Sequence, residues 1–487
     1  MSKFKTIIAK NWVLILIILL ATLLRFYDYQ NRWVFNQDQA RDITMAHFAL
    51  RNNKIPLVGS PSSAGPFNFG ALYDWLVIGI TFLFPFISGS WVAFTLLSTF
   101  CVFIFYKIGD NLVNKKLGLI MALLSAISPS LVLNSTDMLN TVAVLFAVCL
   151  NFYVLSLYFK KPKNIYLFFL GFTVGLANNF HFQSLGFGSV LIAFLLINLK
   201  NIKQLIYHTI LIGIGYIVSF LPNIIFDLLN NFVWIKSVAT YYLGGGTDKF
   251  YYPVRWLIDI RDFWPQLWGN TITGFGSIGY ILILIYLLVL PKLFKQKRLN
   301  KYNLILLISL IIQVLLLRYY KGVRSREYLI TFHSYFIILT AIALNYLSKN
   351  IFILITVLLV LASTISCSKI VLQKSQAQEI LSIYKDVNQD EVDMYTLNGS
   401  SQVNLPLFYL FYRQNKIDSQ KGYKIATCIS KDNLTCPDSG LIIAKSDHYI
   451  LYDINSLTPN QLANYFQFTP QIIYNWLYIN YPDAKNY

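Results

Sequence analysis

Residues 12–26 read WVLILIILLATLLRF, and residues 35–42, a few positions further on, read FNQDQARD. The first stretch is apolar and approaches membrane length, whereas the second places two carboxylates and a guanidinium at helical spacing. Charged side chains beside a membrane segment favour chemistry over simple anchoring. A solvated helix face would show the same pattern, so both interpretations remain open at this point.

The composition predicts a membrane protein. Of 487 residues, 56% are hydrophobic and only 13% are charged, whereas soluble domains carry about 25% charged residues. The apolar run after the N-terminal lysines lacks a signal-peptide cleavage pattern, so we interpret it as a retained first helix.

About eleven apolar runs are predicted to be membrane-spanning helices. They are residues 12–26, 91–106, 117–133, 141–159, 165–178, 184–199, 205–221, 271–290, 304–317, 329–347 and 351–366. A twelfth run, 67–86, contains Asp74 and ends near Pro85. It is either a further span or a helix on the outer surface.

The distribution of lysine predicts the topology. If residues 67–86 do not cross, the lysine-rich loops at 107–116, 160–163 and 292–301 all face the cytoplasm, as the positive-inside rule requires. We therefore predict a multi-pass plasma-membrane protein with a cytoplasmic N-terminus and an exterior C-terminal domain. Its large first exterior loop would carry surface helices.

The net charge of +18 comes almost wholly from residues before 366. Such an excess indicates membrane lipids or lipid phosphates as partners, and not nucleic acid. Nearly all basic residues of the predicted cytoplasmic loops are lysines, whereas most on the exterior are arginines. Arginine grips phosphate with a planar fork, so the exterior is the predicted working face. Salt bridges to exterior acids would also explain these arginines.

The polar C-terminal part predicts a small soluble α/β domain. Helical patterns at 370–387 and 405–415 alternate with strand patterns at 392–397, 424–429, 441–444 and 449–454. The predicted fold class is thus an all-α polytopic membrane protein at 1–366 with an exterior α/β domain at 367–487. Cys428 and Cys436 would form a disulfide or stay free. The sequence contains no CxxC pair or cysteine–histidine cluster that would predict a zinc site.

The acids after the first span are candidate catalytic groups. Asn36 and Gln39 form a capping-box pattern that predicts a helix start. Asp38 and Asp42 then share one face, with Arg41 close to Asp38. Two acids at this spacing repel unless a cation, a metal or a proton is shared. Asp38 is a candidate general base for a hydroxyl acceptor; the alternative is that both acids only favour the helix N-terminus.

Two further candidates lie in predicted exterior turns. Asp137 precedes a span, where it would equally serve as an N-cap. His181 lies in the polar turn 178–183, where a lone histidine is more often structural.

Basic residues cluster in two exterior loops. The aromatic-rich loop 234–268 holds Arg255 and Arg261, and its aromatic residues fit either a sugar site or a membrane interface. The segment 318–327 contains four cations, which breaks the positive-inside tendency. We predict a phosphate site at its Lys321, Arg324 and Arg326.

Four motifs resemble the GT-C superfamily of glycosyltransferases. They are DQARD at 38–42, GPFNFGALY at 65–73, Asp137, and NFHFQ at 179–183. The resemblance is to the branch that holds protein O-mannosyltransferases, the lipid A aminoarabinose transferase and RgtA/B/C/D-like proteins, and it covers most of residues 1–350. Asp74 departs from it, because relatives usually have an aromatic residue there.

The resemblance implies a GT-C-like fold and a polyprenyl-phosphate-linked sugar as donor. Asp38 would deprotonate the hydroxyl of a glycan, lipid or protein acceptor for one inverting displacement. The implied supporting residues are Arg41, Asp42, Asp137 and His181. The residues implied to bind the donor phosphate are Arg324, Arg326, Lys321, Arg255 and Arg261. No metal ligands are evident, so a reaction without metal or other cofactor is the expectation.

Two alternative functions remain. A transporter or flippase for a lipid-linked sugar would need ionisable residues deep within spans and symmetry between halves, whereas the charges here collect at one face. A glycan ligase or polymerase would use the same arginines without an essential Asp38.

Overall fold

The structure is a computed structural model of the whole chain. It describes residues 2–62, 65–198, 201–243, 255–295, 297–320, 324, 326–372, 375–387, 391–397, 405–414, 423–429, 441–445, 449–455 and 466–468. The helices in these ranges are α1 Ser2–Phe26, α2 Gln37–Asn52, α3 Leu72–Leu83, α4 Gly89–Leu112, α5 Lys115–Ile127, α6 Pro129–Asn134, α7 Asn140–Lys160, α8 Asn164–Phe180, α9 Ser189–Asn198, α10 Ile202–Ser219, α11 Leu221–Leu229, α12 Val233–Leu243, α13 Arg255–Ile258, α14 Trp264–Thr273, α15 Ile278–Leu293, α16 Lys297–Leu317, α17 Ile330–Asn345, α18 Lys349–Val371, α19 Ala377–Asp386 and α20 Leu405–Arg413.

Shorter helical segments and strands complete these elements. The 3₁₀ segments are Tyr29–Asn31, Phe182–Gly188 and Arg326–Leu329, and Asp259–Phe263 is a π-helix. The strands are β1 Val392–Leu397, β2 Tyr423–Ile429, β3 Leu441–Lys445, β4 Tyr449–Asp453 and β5 Phe466–Phe468.

Contacts group the chain into two compact units. The first comprises residues 1–28, 62–73 and 94–372, and the second comprises 29–61, 74–93 and 373–487. Segments of the predicted exterior loop thus group with the C-terminal part. A division of the chain between residues 366 and 367 stays a prediction.

The helices confirm a multi-pass membrane protein. Within the described ranges, six helices are long and apolar enough to cross a membrane, or up to seven if the bent pair Arg255–Thr273 and Ile278–Leu293 forms one span. Shorter apolar helices, such as Asn11–Phe26, account for other predicted spans. A total of about eleven spans, and the orientation of the termini, stay predictions.

Two predicted spans are interrupted. The run 117–133 breaks after α5, because Pro129 begins α6 and Ser128 accepts a hydrogen bond from the Leu131 N–H as its N-cap. The run 271–290 breaks at Gly274, whose φ of 78° ends α14 in the left-handed region. The helical segments before and after this break are bent by 96° relative to each other.

The ambiguous run 67–86 forms the single short helix α3. Its 12 residues extend about 18 Å at 1.5 Å per residue, whereas the hydrocarbon core of a bilayer is about 30 Å thick. This length agrees with the threading in which the run does not cross the membrane.

Helix α17 lies at the centre of the first unit. Every residue from Ile330 to Leu344 is buried, and the helix contacts α5, α7, α14, α15, α16 and α18. By contrast, α10 and α18 expose most of their apolar side chains. The bundle therefore surrounds one helix on all faces and presents lipid-compatible surfaces at its periphery.

The second unit combines α2 with the helices and strands of the C-terminal part. Arg51 of α2 donates hydrogen bonds to the carbonyl oxygens of Tyr412 and Arg413, at 2.8 and 3.0 Å. It thus satisfies free carbonyls at the end of α20. The described strands form a mixed sheet in the order β3-β4-β2-β1-β5, with β1 parallel to β2. Cys436 lies outside the described residues, so whether Cys428 and Cys436 form a disulfide or stay free is untested.

Glycines allow α8 and α10 to approach closely. A Cβ at Gly171 would collide with the Ile212 carbonyl oxygen, and one at Gly215 would collide with the Phe168 carbonyl oxygen. Small residues at such crossings let helix backbones touch within a membrane.

Replacing Gly215 with alanine is expected to lower the thermal unfolding temperature of the detergent-purified protein. The added methyl group forces α8 and α10 apart, at a cost of about 1–3 kcal/mol. Gly213 is the matched control on the same helix, because a Cβ there meets no atom of the described residues within 4 Å. Equal destabilisation by Gly213→Ala and Gly215→Ala would contradict the close-contact explanation.

Candidate functional site

The N-terminus of α2 has the predicted capping box. The Asp38 N–H donates to Asn36 Oδ1 at 3.0 Å, and the Asn36 N–H donates to Gln39 Oε1 at 2.7 Å. These bonds satisfy amides that would otherwise lack partners. The cap therefore sets where α2 begins and places Asp38 in its first turn.

Arg41 joins the two acids of α2. Its Nη1 lies 3.1 Å from Asp38 Oδ1, and its Nε donates to Asp42 Oδ1 at 2.8 Å. The Asp38 side chain is 49% exposed, whereas that of Asp42 is fully buried. Burial lowers the pKa of Arg41, but Asp42 and Asp38 outweigh it and raise that pKa overall. Asp38 is therefore the solvent-accessible carboxylate of the cluster.

Two residues that were not assigned to the site from the sequence complete this cluster. Ser60 Oγ lies 2.8 Å from Asp42 Oδ1 and 3.2 Å from Asp74 Oδ1. Burial raises the pKa of the Asp42 and Asp74 carboxyls, and that of Asp74 lies well above its ordinary value. The charge of Asp42 raises the pKa of Asp74 further, whereas Arg41 partly opposes both increases. The signal in the sequence was Asp74 itself, a carboxyl within an apolar run.

Aromatic residues hold the segment before α2. The Phe35 ring packs edge-on against Trp91 at 5.2 Å and against Tyr409 of α20 at 5.9 Å. The Tyr409 hydroxyl also lies 3.3 Å from His47 Nε2 on α2. Burial, followed by the charges of Arg413 and Arg51, lowers the pKa of His47 to about 4. Packing thus restrains both ends of the helix that carries Asp38.

The first unit contains an apolar cavity of about 480 Å³. Arg324 is the one cation among its described lining residues. Most of the wall is aromatic or aliphatic, and it includes Phe67, Phe69, Phe182, Tyr242, Leu317 and Tyr328. Such a wall accepts an apolar ligand and offers one fixed positive group.

His181 lines the same cavity as a neutral ring. It stacks on Tyr328 with centroids 5.6 Å apart, and its Nδ1 accepts a hydrogen bond from the Gln183 N–H at 3.2 Å. Burial lowers the pKa of His181 to about 3. The structure therefore gives His181 the packing role that was left open from the sequence, at a position where it can also contact a ligand.

The motif at 65–73 is anchored by Asn179. The Leu72 N–H donates to Asn179 Oδ1 at 2.8 Å, and the Gly70 N–H donates to the Asn179 carbonyl at 3.0 Å. A Cβ at Gly70 would overlap the Asn179 side chain, so this position requires glycine. Two of the motifs that carry the resemblance are thereby brought into direct contact.

Asp137 is buried in the turn before α7, with 4% exposure. It is not the N-cap, because Leu139 occupies that position. The Asp137 N–H donates instead to the Asn134 carbonyl at 3.3 Å.

An ion-pair cluster holds two of the predicted phosphate-binding arginines. Arg324 Nη1 and Nη2 lie 2.8 and 2.9 Å from the two oxygens of Asp259. Arg255 Nε lies 3.9 Å from the same carboxylate, and Arg255 Nη1 donates to the Tyr320 carbonyl at 2.6 Å. Asp259 begins a π-helix, a distortion that is frequent at functional sites.

The other predicted phosphate ligands lie apart from this cluster or outside the described residues. Arg261 is largely exposed and pairs with its neighbour Asp262 at 2.7 Å. Arg326 pairs with its neighbour Glu327, also at 2.7 Å. Lys321 lies outside the described residues. Within the described ranges, no three His, Cys, Asp or Glu side chains are grouped as metal ligands.

Comparison with known proteins supports the fold and the enzyme class. Residues 70–226 match the family described as dolichyl-phosphate-mannose-protein mannosyltransferase. This match indicates a glycosyltransferase, as the motifs predicted. No curated protein matches the chain.

The fold is similar to solved GT-C structures. ArnT from Cupriavidus metallidurans in the apo state matches with a TM-score of 0.63 at 10% identity, over 92% of this chain and 99% of that one. The same protein bound to undecaprenyl phosphate matches with a TM-score of 0.61. The Archaeoglobus fulgidus oligosaccharyltransferase in complex with zinc and sulfate matches with a TM-score of 0.51 at 13% identity, over 77% of this chain and 55% of that one. The predicted resemblance to GT-C glycosyltransferases is confirmed.

His181 is expected to make stability depend on pH. A histidine with an unfolded pKa near 6.5 and a folded pKa of about 3 binds more protons when unfolded, so stability falls as the pH drops from about 6.5 toward 3, by at most about 1.4 kcal/mol per pH unit. His181→Gln should weaken this dependence in thermal unfolding of the purified protein. Alkaline pH is the internal control, because His181 is neutral there in both the folded and the unfolded protein. An unchanged acid dependence in the variant would contradict a buried neutral His181.

Proposed function

We propose that the protein is a membrane glycosyltransferase that moves a sugar from a polyprenyl-phosphate donor to a hydroxyl acceptor on the exterior face. The observation that carries this proposal is the apolar cavity with Arg324 in its wall. A prenyl chain needs an apolar surface of this kind, and its phosphate needs a cation. Support also comes from the structural relative ArnT, which has been solved with undecaprenyl phosphate bound.

In the proposed reaction, Asp38 is the general base. Its carboxylate takes the proton of the acceptor hydroxyl, and the hydroxyl oxygen forms a bond to the anomeric carbon of the donor sugar. The bond from that carbon to the phosphate oxygen breaks, and its electron pair leaves with the polyprenyl phosphate. Inversion at the anomeric carbon follows from this single displacement. The exposure of Asp38 and its ion pair with Arg41 suit this role.

Arg324 is the proposed ligand of the donor phosphate. In the structure its two terminal nitrogens contact the Asp259 carboxylate, which has the planar, two-oxygen geometry that guanidinium recognises. A phosphate would take the place of Asp259 at Arg324, while Arg255, which also faces Asp259, would keep that carboxylate paired. The leaving phosphate gains charge, which Arg324 would stabilise.

The remaining parts of the proposal follow the sequence pattern. Asp42 and Arg41 would orient Asp38 within the second unit, and Asp137 and His181 are the proposed supporting residues of the first unit. Arg326, Arg261 and Lys321 would attract the anionic donor to the exterior surface. The reaction is proposed to proceed without a resident metal.

Asp38→Asn is expected to reduce sugar transfer by about 10²–10⁴-fold, the usual contribution of a general base. Transfer of radiolabelled sugar from polyprenyl-phosphate donors in membranes, at matched expression, measures this loss. Asp262→Asn is the control, because this acid is not among the cavity-lining residues and its described partners are the neighbouring Arg261 and the Tyr280 hydroxyl. Full activity of Asp38→Asn would favour the ligase alternative. Absence of transfer by wild type and variant alike, with lipid-linked sugar still bound, would favour a transporter.

Arg324→Lys is expected to raise the Kd for polyprenyl phosphate about tenfold. Lysine keeps the charge opposite Asp259 but loses the two-pronged fork, and one charge-assisted hydrogen bond contributes about 1.5 kcal/mol or more. Binding of polyprenyl phosphate to the purified protein measures the change. Arg261→Lys, at an exposed pair, serves as the control and should bind as wild type does. Equal affinities for wild type and Arg324→Lys would place the phosphate elsewhere.

A further inference from the structure

We propose that Asp42 and Asp74 share one proton through the Ser60 hydroxyl. Asp74 is then a neutral acid that donates a hydrogen bond, and Asp42 is the carboxylate that positions Arg41 beside Asp38. Asp74 is thus a positioning residue of this chain.

Hydrogen-bond geometry leads to this assignment. Ser60 Oγ is within hydrogen-bond distance of both Asp42 Oδ1 and Asp74 Oδ1, but a serine hydroxyl carries a single hydrogen. The shorter contact, 2.8 Å, is the one to Asp42. If Ser60 donates its hydrogen to Asp42, no hydrogen from Ser60 is left for the contact with Asp74. That contact is then a hydrogen bond only if Asp74 carries a proton. A protonated Asp74 donates to Ser60 Oγ, and Ser60 donates to Asp42. Both contacts of Ser60 are then hydrogen bonds.

Burial and charge lead to the same assignment. Asp42, Ser60 and Asp74 are 3%, 1% and 4% exposed, and an unpaired buried carboxylate is costly. Among the described residues, Arg41 is the cation that contacts this cluster, and its bonds go to Asp42 and Asp38. Asp42 Oδ2 and Asp74 Oδ2 have no hydrogen-bond partner among the described residues. One cation does not neutralise two buried carboxylates and a third at the surface, so one of the buried pair holds a proton.

The groups around Asp74 identify it as the carboxyl that holds the proton. From α2 it faces Arg41 and Asp42, and from the loop before α3 it faces Ser60. Its titratable neighbour on α3, Tyr73, has its hydroxyl 3.4 Å from the Met138 carbonyl oxygen. Arg41 Nε bonds directly to Asp42. Asp42 is therefore the ionised partner, and burial beside a carboxylate raises the pKa of Asp74.

This arrangement fixes the position of the proposed base. Asp42 Oδ1 receives one hydrogen bond from Arg41 and one from Ser60, so partners on α2 and on the loop before α3 both hold this carboxylate. Arg41 is then held with its Nη1 directed to Asp38. This consequence for catalysis rests on the proposed function, whereas the shared proton does not.

Matched substitutions test the shared proton without any substrate. Asp74→Asn keeps the shape and a donor for Ser60 but needs no proton. A carboxyl with a raised folded pKa loses stability as the pH rises above its unfolded pKa, until the folded pKa is passed. Asp74→Asn is therefore expected to unfold at a higher temperature than wild type, by a margin that grows with pH. Asp42→Asn should unfold at a lower temperature, because Arg41 loses its buried partner. A lower unfolding temperature for Asp74→Asn would overturn the proposal.

Infrared spectroscopy of the wild-type protein gives a test that does not depend on the variant folding. A buried protonated carboxyl has a carbonyl stretch above the carboxylate bands, and labelling with ¹³C-aspartate shifts it. This band should be present at neutral pH, be lost at alkaline pH, and be missing from Asp74→Asn. Its absence from the wild type at neutral pH would overturn the proposal.

Transfer activity tests the positioning role. Asp74→Asn keeps a hydrogen-bond donor for Ser60 but has no titrating proton, so its transfer should lack the alkaline decline of the wild-type pH profile. Asp42→Asn should lose about a hundredfold, as expected when a catalytic group is misplaced. An alkaline decline that persists in Asp74→Asn would overturn the positioning role. If the wild type shows no transfer while the infrared band and the stability differences are present, the proposed function fails and the shared proton stands.

Discussion

The buried ion pair between Arg41 and Asp42 is the interaction on which the candidate site depends. A charge removed from water must be paired and hydrogen-bonded, and this requirement ties α2 to the loop through Ser60 and to α3 through Asp74. The cap at Asn36 sets where the helix begins, while aromatic packing restrains the chain before it. Asp38 remains half-exposed, whereas the neighbours that surround it are fixed.

The same requirement organises the first unit. Asp259 receives both terminal nitrogens of Arg324, at the edge of a cavity whose wall is otherwise largely apolar. Arg25 is fully buried within the bundle, and it donates to Ser98 and to carbonyls in the last turn of α5, where the helix dipole favours a cation. Arg25 is thus a structural cation that is bound by carbonyl oxygens, whereas Arg324 faces a ligand-sized space.

Local patterns were predictable from the sequence, and pairings between distant residues were not. The capping box of α2 follows from adjacent residues, and most spans and strands follow from hydrophobic runs. The break at Pro129 and the bend at Gly274 were missed because apolar length alone does not register them. The partner of Arg324 lies 65 positions away, and Ser60 joins acids from two separate helices. No local sequence pattern encodes contacts between residues so far apart in the chain. A carboxyl within an apolar run, such as Asp74, indicates only that a partner exists.

The complete burial of α17 has a consequence for how the protein is made. Its polar side chains find partners on helices that precede it in the chain: Thr340 accepts a hydrogen bond from Trp268 of α14, and Tyr335 bonds to Gln313 of α16. A helix with such groups partitions poorly into lipid alone. During synthesis from the N-terminus, α17 emerges when those partners are already in place, and only α18 among its main neighbours follows. Membrane insertion of α17 is therefore coupled to its packing against earlier helices. Substitutions that disrupt α14 or α16 would first reduce the amount of correctly inserted protein.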